Sequence, residues 1–141
     1  MPTLDLTNRK LYEERNKLPE PSNEGLATLF VGVNKVVIKD DGVCGDKAMS
    51  NKILLTISEG DRIQKLNQLL EIDENNTGFY CMCLGTYAIE LYSDTQINAT
   101  IGFHHGVSIR YHKWNGDAEL ANSDDLLKFL ADLGFTKPLE D

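Results

Sequence analysis

The sequence predicts an α+β fold in which a mostly antiparallel sheet is covered on one face by about three helices. Apolar residues alternate with a period of two between Phe79 and Tyr111, which is the pattern of half-buried strands. Helical spacings of apolar residues precede and follow that stretch. At 141 residues without an internal repeat, the chain is predicted to form a single domain, residues 1–141.

The N-terminal third predicts one helix and then extended chain. Thr7 can cap a helix at Asn8–Lys17, and Pro19 follows its end. The segment Leu26–Lys39 is rich in β-branched and aromatic residues, which favours strands. It predicts either two strands joined by a turn or one strand with a bulge at Gly32.

Two further helices flank the long alternating stretch. The apolar run Ile53–Ile57 predicts a strand, and Glu59–Ile72 carries leucine and isoleucine at helical spacing. Ser123 is expected to cap the last helix, with acidic residues in its first turn where they suit the helix dipole. Gly134 should end it, with Phe135 folding back onto the core.

The alternating stretch predicts a long hairpin with arms Phe79–Leu91 and Ile97–Tyr111. For the apolar residues of both arms to share one face, directly opposed residues must both be odd-numbered. That condition favours a loop of about three or five residues around Ser93–Thr95. In the tighter register Cys83 opposes His105, and both point toward the core.

Three potential metal ligands share the predicted inner face of this hairpin. Cys81, Cys83 and His105 offer two thiols and an imidazole, the ligand types that zinc prefers. A fourth ligand is missing unless Cys44 or water supplies it, and free cysteine packs well as a small apolar side chain. Packing is therefore favoured over a structural zinc site, and we expect no cofactor and no bound metal.

The charge of the chain favours a basic protein as partner. The net charge is −8, and no lysine or arginine occurs between Lys65 and Arg110. This balance opposes binding to nucleic acid and speeds encounter with a basic protein. The chain has no apolar run long enough to span a membrane and no apolar N-terminal signal, so we expect a cytoplasmic protein that does not bind membranes.

The predicted outer face of the hairpin carries the candidate contact surface. Binding is favoured over catalysis because no local catalytic motif occurs, and an inhibitor or immunity-type protein that blocks a basic enzyme such as a nuclease toxin is the leading hypothesis. The alternatives are a small hydrolase or nuclease that uses His104 or His112 with Arg110, and a structural zinc protein that uses Cys81, Cys83 and His105. Trp114, the only tryptophan, fits either the core or this surface. The residues expected to contact the partner are Glu90, Tyr92, Asp94, His104, Arg110, His112, Trp114, Asp117 and Glu119.

Overall fold

The fold is α+β, as the sequence predicts, with one large antiparallel sheet and helices against it. The computed structural model describes residues 13–140, and the side chains of residues 13–138. The large sheet has seven strands in the order β4-β1-β6-β7-β8-β9-β5, and β2 and β3 form a separate two-stranded hairpin. The strands are β1 Lys35–Asp40, β2 Val43–Cys44, β3 Lys47–Ala48, β4 Ile53–Ile57, β5 Ile72–Phe79, β6 Tyr87–Ser93, β7 Gln96–His104, β8 Ser108–Tyr111 and β9 Asp117–Leu120.

The helices differ from the predicted ones mainly at the N-terminal end. They are α1 Asn23–Leu29, α2 Gly60–Leu69, α3 Ser123–Asp132 and α4 Lys137–Glu140, and residues 13–16 are also helical. The first part of the predicted helix Asn8–Lys17 lies outside the described residues. Helix α1 replaces part of a predicted strand because Ser22 caps it, with the Ser22 hydroxyl accepting a hydrogen bond from the Gly25 N–H at 3.0 Å.

The main core lies between one face of the sheet and the helices. Alternate residues of the central strands, such as Ile89, Ile101 and Phe103, are fully buried on this face together with Leu66 of α2 and Leu126 of α3. The odd-numbered positions that the period of two assigned to the core are therefore confirmed as core residues in β6 and, in β7, from Ala99 to Phe103. The assignment is wrong at Ile97, which lies beside the turn and is 44 % exposed.

Helix α3 ends as predicted. Gly134 has a positive φ of 101°. The Phe135 N–H donates to the Leu130 carbonyl at 2.9 Å, and Phe135 is buried against Tyr87. The glycine allows the left-handed conformation that reverses the chain at the end of the helix.

The predicted register of the long hairpin is wrong by two residues, although odd residues still oppose odd residues. Tyr87 pairs with Phe103, and the connection is the tight turn at Asp94 and Thr95 between Ser93 and Gln96. A bulge follows Leu91 and changes the pairing by one residue. Because the bulge adds one unpaired residue, the two-residue turn still allows the apolar residues of both arms to lie on one face of the sheet.

Both arms of the predicted hairpin are also shorter than expected. The first arm is interrupted at residues 80–86, which form a loop rather than strand. The second arm reverses at His105 and Gly106, which have φ values of 54° and 72°. The Val107 N–H donates to the His104 carbonyl at 3.0 Å, and this turn joins β7 to β8. The predicted opposition of Cys83 and His105 as strand partners is therefore wrong.

Candidate functional site

The second face of the sheet is covered by a loop, residues 80–86, which we call the covering loop. Its end is joined to β7 by a hydrogen bond from the Thr86 N–H to the Phe103 carbonyl at 2.8 Å. Its Leu84 carbonyl accepts a hydrogen bond from the Val43 N–H at 2.8 Å. A side chain at Gly42 would overlap the Leu84 carbonyl, so a glycine is needed for this close approach.

A buried ion pair fixes the backbone of the covering loop. Arg110 of β8 donates from Nε to Asp117 Oδ1 at 2.7 Å and from Nη2 to Asp117 Oδ2 at 2.9 Å. Its Nη1 donates to the Cys83 carbonyl at 2.9 Å, and Nη2 also donates to the Cys81 carbonyl. The Cys81 N–H in turn donates to Asp117 Oδ2 at 3.0 Å. Because both charged groups also bind loop backbone, the pair holds the loop against the sheet.

The environment of Arg110 keeps it charged. Burial lowers the pKa of the Arg110 guanidinium, but the hydrogen bonds and the charge of Asp117 outweigh burial and raise it. The ring of Tyr80 lies on the guanidinium, with Arg110 Cζ 3.9 Å from the ring centroid. Asp117 is 0 % exposed, so the ion pair is desolvated on its acidic side. Removing either partner would leave a buried charge without compensation.

Two thiols and two imidazoles meet between the covering loop and the turn after β7. Ligand atoms of Cys81, Cys83 and His104 all lie within 4.8 Å of one another. Cys83 Sγ is 3.1 Å from His104 Nδ1 and 3.5 Å from His105 Nε2. The Cys83 N–H donates to Cys81 Sγ at 3.4 Å. The predicted group of Cys81, Cys83 and His105 is wrong in its histidine, because the imidazole grouped with both thiols is that of buried His104, while exposed His105 approaches Cys83.

The surroundings of His104 keep its imidazole neutral. Burial, followed by the positive charge of Arg110, lowers the pKa of His104 to about 4. Its Nε2 atom has no hydrogen-bond partner among the described residues and lies above the backbone of Gly85 and Gly102. A Cβ at either glycine would approach that nitrogen to 3.1 Å. The ring is thus wedged between two backbone segments and can use only Nδ1 toward a ligand.

The two thiols differ in acidity. The hydrogen bonds that link Cys81 to Cys83 lower the pKa of Cys81, whereas burial raises the pKa of Cys83. Cys83 is the thiol next to His104, yet a neutral imidazole and a raised thiol pKa do not produce the thiolate–imidazolium pair of a cysteine nucleophile. In this arrangement the cluster is better suited to ligate a soft cation than to attack a substrate.

Four of the residues predicted to contact a partner are buried, so the predicted outer face is wrong at these positions. Glu90 is 3 % exposed and bonded to Lys39 at 2.9 Å. His104 and Asp117 are each 0 % exposed. Trp114 packs edge-on against Tyr111 in the core, which decides between its two predicted placements. The physical reason is that the covering loop and the β2–β3 hairpin lie across the face that was expected to meet water.

The other five predicted contact residues remain accessible to different degrees, but they do not form one surface. Asp94 and His112 are exposed, while Tyr92, Arg110 and Glu119 are half-buried. Tyr92 donates to Glu90 at 3.0 Å, and Arg110 is occupied by Asp117. Since His104 is buried, only the exposed His112 is left for the hydrolase or nuclease alternative, and its predicted companion Arg110 is occupied by Asp117.

Residues just before and within the covering loop expose large apolar side chains to solvent. Met82 is 92 % exposed, the largest value among the exposed hydrophobic residues. The others in this segment are Phe79, Tyr80 and Leu84. Four such side chains within six consecutive residues are unusual on a soluble surface and are typical of contact sites.

An acidic groove lies at the other end of β5. It has a volume of about 480 Å³ and is lined by Asn23, Glu71, Ile72, Asp73, Glu74, Asn75, Glu119, Leu120 and Ala121. None of these described lining side chains is basic. Strand β5 is an edge strand of the sheet, and its pairing with β9 is irregular between Ile72 and Thr77. Most of the acidic residues of the groove belong to the segment between Lys65 and Arg110, which contains no lysine or arginine.

No protein-family model, no curated protein and no solved structure matches this chain. Within residues 13–140, no helix combines the length and apolar character needed to cross a membrane. The functional proposal therefore has to come from the side chains that the fold brings together.

Sequence reasoning missed β5, β9 and the role of Asp117. Strand β5 is almost entirely polar and carries no alternation, because an edge strand that packs little on the core needs none. Gly106, within an apolar alternating run, was the available signal for the turn after His104. No sequence signal distinguished Asp117 from the solvated acids around it.

Proposed function

We propose that this protein binds a basic protein partner through the β5 edge of the sheet. The observation that carries the proposal is the run of exposed apolar side chains from Phe79 to Leu84, presented on a loop that a buried ion pair holds in place. A pre-ordered apolar contact loses little conformational entropy when a partner binds. An exposed loop that contacts no other protein would instead be expected to carry mostly polar side chains.

The charge around this edge supports a partner that is basic. The acidic groove at the start of β5 contains Glu71, Asp73, Glu74 and Glu119. Strand β5 has eight residues, so the groove at its start and Phe79 at its end lie at most about 25 Å apart. One interface of standard size, about 800 Å² on each partner, covers that distance.

The two ends of the edge would contribute in different ways. The apolar end would supply the buried anchors of the interface, and exposed methionine adapts readily to a partner surface. The acidic end would steer a basic protein toward the edge and select against acidic ones. An inhibitor of the immunity-protein kind, blocking a basic enzyme such as a nuclease toxin, is the form of this proposal that the net charge of −8 favours.

The test compares capture of host proteins by the wild type, Met82→Asp and Val31→Asp. Val31 is 73 % exposed outside the β5 edge, so its replacement adds the same charge at an unrelated apolar position. We expect a basic protein that is captured at low salt, released at high salt, lost with Met82→Asp and retained with Val31→Asp. Equal capture of the same proteins by all three baits would contradict the proposal.

A second comparison tests the acidic end. Glu71→Gln with Glu74→Gln removes two charges from the groove, and Asp46→Asn with Asp132→Asn removes two exposed charges elsewhere. With the identified partner, the groove variant should slow association and lower its dependence on salt, since steering acts on the encounter rate. If both double variants slow association equally, net charge alone attracts the partner and the groove has no specific part in binding.

A further inference from the structure

We propose that Cys81, Cys83, His104 and His105 form a binding site for Zn²⁺. Ligand atoms of the first three already lie within 4.8 Å of one another. Tetrahedral zinc with Zn–S bonds of about 2.3 Å and Zn–N bonds of about 2.0 Å places its ligand atoms roughly 3.3 to 3.8 Å apart. Closing Cys81, Cys83 and His104 around the ion therefore requires side-chain movements of about 1 Å, and His105 has to move further because it is outside this group.

The backbone at His105 brings the fourth ligand into reach. His104 is on the polar face of β7, and a regular strand would direct the next side chain to the opposite face. His105 has a φ of 54°, and its Nε2 lies 3.5 Å from the same Cys83 thiol that His104 approaches. This left-handed conformation is unfavourable for a non-glycine residue. It is also what places two consecutive imidazoles beside one thiol.

The four side chains differ in their exposure to solvent. His104 is 0 % exposed and wedged by glycines, and Cys83 is half-buried with its carbonyl bound by Arg110. Cys81 is half-buried, and His105 is exposed. An ion can thus enter from the solvent side while the buried imidazole provides a pre-positioned nitrogen. Two soft sulfur and two nitrogen ligands form a donor set that selects zinc over magnesium or calcium.

The surrounding framework orients the ligands without competing for the ion. The nearby Asp117 carboxylate is already bound by Arg110 and by the Cys81 N–H. Arg110 binds the carbonyls of both cysteines, which fixes the backbone from which the thiols project. Each thiol that becomes a ligand releases its proton to the solvent. The site does not depend on the proposed protein partner and can be tested on the protein alone.

Titration of the reduced, metal-free protein with Co²⁺ and then Zn²⁺ tests this site. Co²⁺ should bind with a stoichiometry of one, give a thiolate-to-cobalt charge-transfer absorption and tetrahedral visible bands, and be displaced by Zn²⁺. Cys83→Ser should abolish the charge-transfer absorption or reduce it strongly. Cys44→Ser is the matched control, because Cys44 is exposed and is not one of the clustered ligand residues.

His105→Gln tests the fourth ligand without disturbing the core, since His105 is exposed. It should weaken Zn²⁺ binding at least 10-fold, because loss of a residue that only orients a metal ligand already lowers metal affinity by about 10- to 100-fold. Circular dichroism of each variant, together with Cys81→Ser as a second thiol variant, separates ligand loss from misfolding. Failure of the wild type to give the charge-transfer absorption, or equal loss with Cys44→Ser, would overturn the site. Unchanged affinity in His105→Gln would overturn the four-ligand assignment.

Discussion

The two faces of the sheet are buried by different means. On the helix side, fully buried apolar residues such as Ile89, Ile101 and Leu126 form a continuous core. On the loop side, the buried side chains include Glu90, His104 and Asp117, which are ionisable. The first face is stabilised by many interchangeable apolar contacts, whereas the second depends on a few groups that each need a particular partner.

This difference determines how each face responds to change. A single apolar truncation removes a few contacts among many, and neighbouring side chains partly adjust. Loss of one member of a buried ion pair leaves the other charged group desolvated without compensation. Single substitutions of the buried polar groups on the loop side should therefore lower the stability of the protein more than the small number of these groups suggests.

Asp117→Ala should have the largest effect on stability. It removes the carboxylate that binds both Arg110 and the Cys81 N–H. We expect the free energy of unfolding to fall by about 3 to 5 kcal/mol, as for other buried pairs that lose one partner. Urea unfolding followed by Trp114 fluorescence measures this change.

The double variant Arg110→Met with Asp117→Leu sharpens that prediction. It removes both charges, so no buried charge is left uncompensated, and it should be more stable than Asp117→Ala. The covering loop should nevertheless lose its order, because Arg110 no longer binds the carbonyls of Cys81 and Cys83. If the double variant is as unstable as Asp117→Ala, the instability of Asp117→Ala does not come from an uncompensated buried charge.

Leu126→Ala is the matching test on the helix side. Leu126 is 0 % exposed within the apolar core, and its truncation should cost about 2 to 5 kcal/mol. Unlike Asp117→Ala, it should lower global stability without selectively increasing amide exchange in the covering loop. Hydrogen exchange resolved by residue distinguishes the two outcomes, and selective opening of the loop in Leu126→Ala would contradict the separation of the two faces.

A pH titration of the metal-free protein tests His104 on the loop side. The folded state holds the pKa of His104 at about 4, below the value of about 6.5 for an unperturbed imidazole. Between these pH values the unfolded chain binds a proton that the folded chain does not. The stability that follows is fully present above pH 6.5 and is lost as the pH falls toward 4, by about 1 to 3 kcal/mol.

The comparison that isolates this contribution is between wild type, His104→Gln and His112→Gln, each in the presence of a chelator. His112 is exposed, so its variant should keep the wild-type decrease in stability. His104→Gln should show a smaller decrease over the same range. An equally steep decrease in His104→Gln would mean that other groups cause the acid sensitivity.

The smallest effect is expected for the exposed ion pair of Arg62 and Glu59. The two groups are 3.6 Å apart, and both side chains are about half exposed. Glu59→Gln should change the free energy of unfolding by less than about 1 kcal/mol, because solvent screens such pairs. A loss as large as that of Asp117→Ala would show that burial does not explain the difference between the two ion pairs.

The sequence predicted the helix side well because its signal is repetitive. The period of two in β6 and β7 and the helical spacing around Leu66 each involve several residues, so one bulge or turn does not hide them. The end of α3 at Gly134 was predictable for a different reason, since a single residue type supplies the positive φ.

The loop side could not be predicted in the same way because it depends on long-range partners. Asp117 resembles its solvated neighbours in sequence, and only the path of the chain brings Arg110 and the carbonyl of Cys81 to it. His104 is buried because the covering loop lies over its face of β7, and His105 is exposed because the chain reverses at His105 and Gly106. Neither the covering loop nor this turn has a repetitive signal in the sequence.

The most direct test of the account is amide hydrogen exchange at Cys81, whose N–H donates to the buried Asp117 carboxylate. This amide should be protected in the wild type and should exchange much faster in the double variant Arg110→Met with Asp117→Leu, while the amide of Ile89 in the central sheet stays protected in both proteins. Exchange at Cys81 in the wild type at the rate of an unstructured amide would contradict the claim that the ion pair holds the covering loop on the sheet.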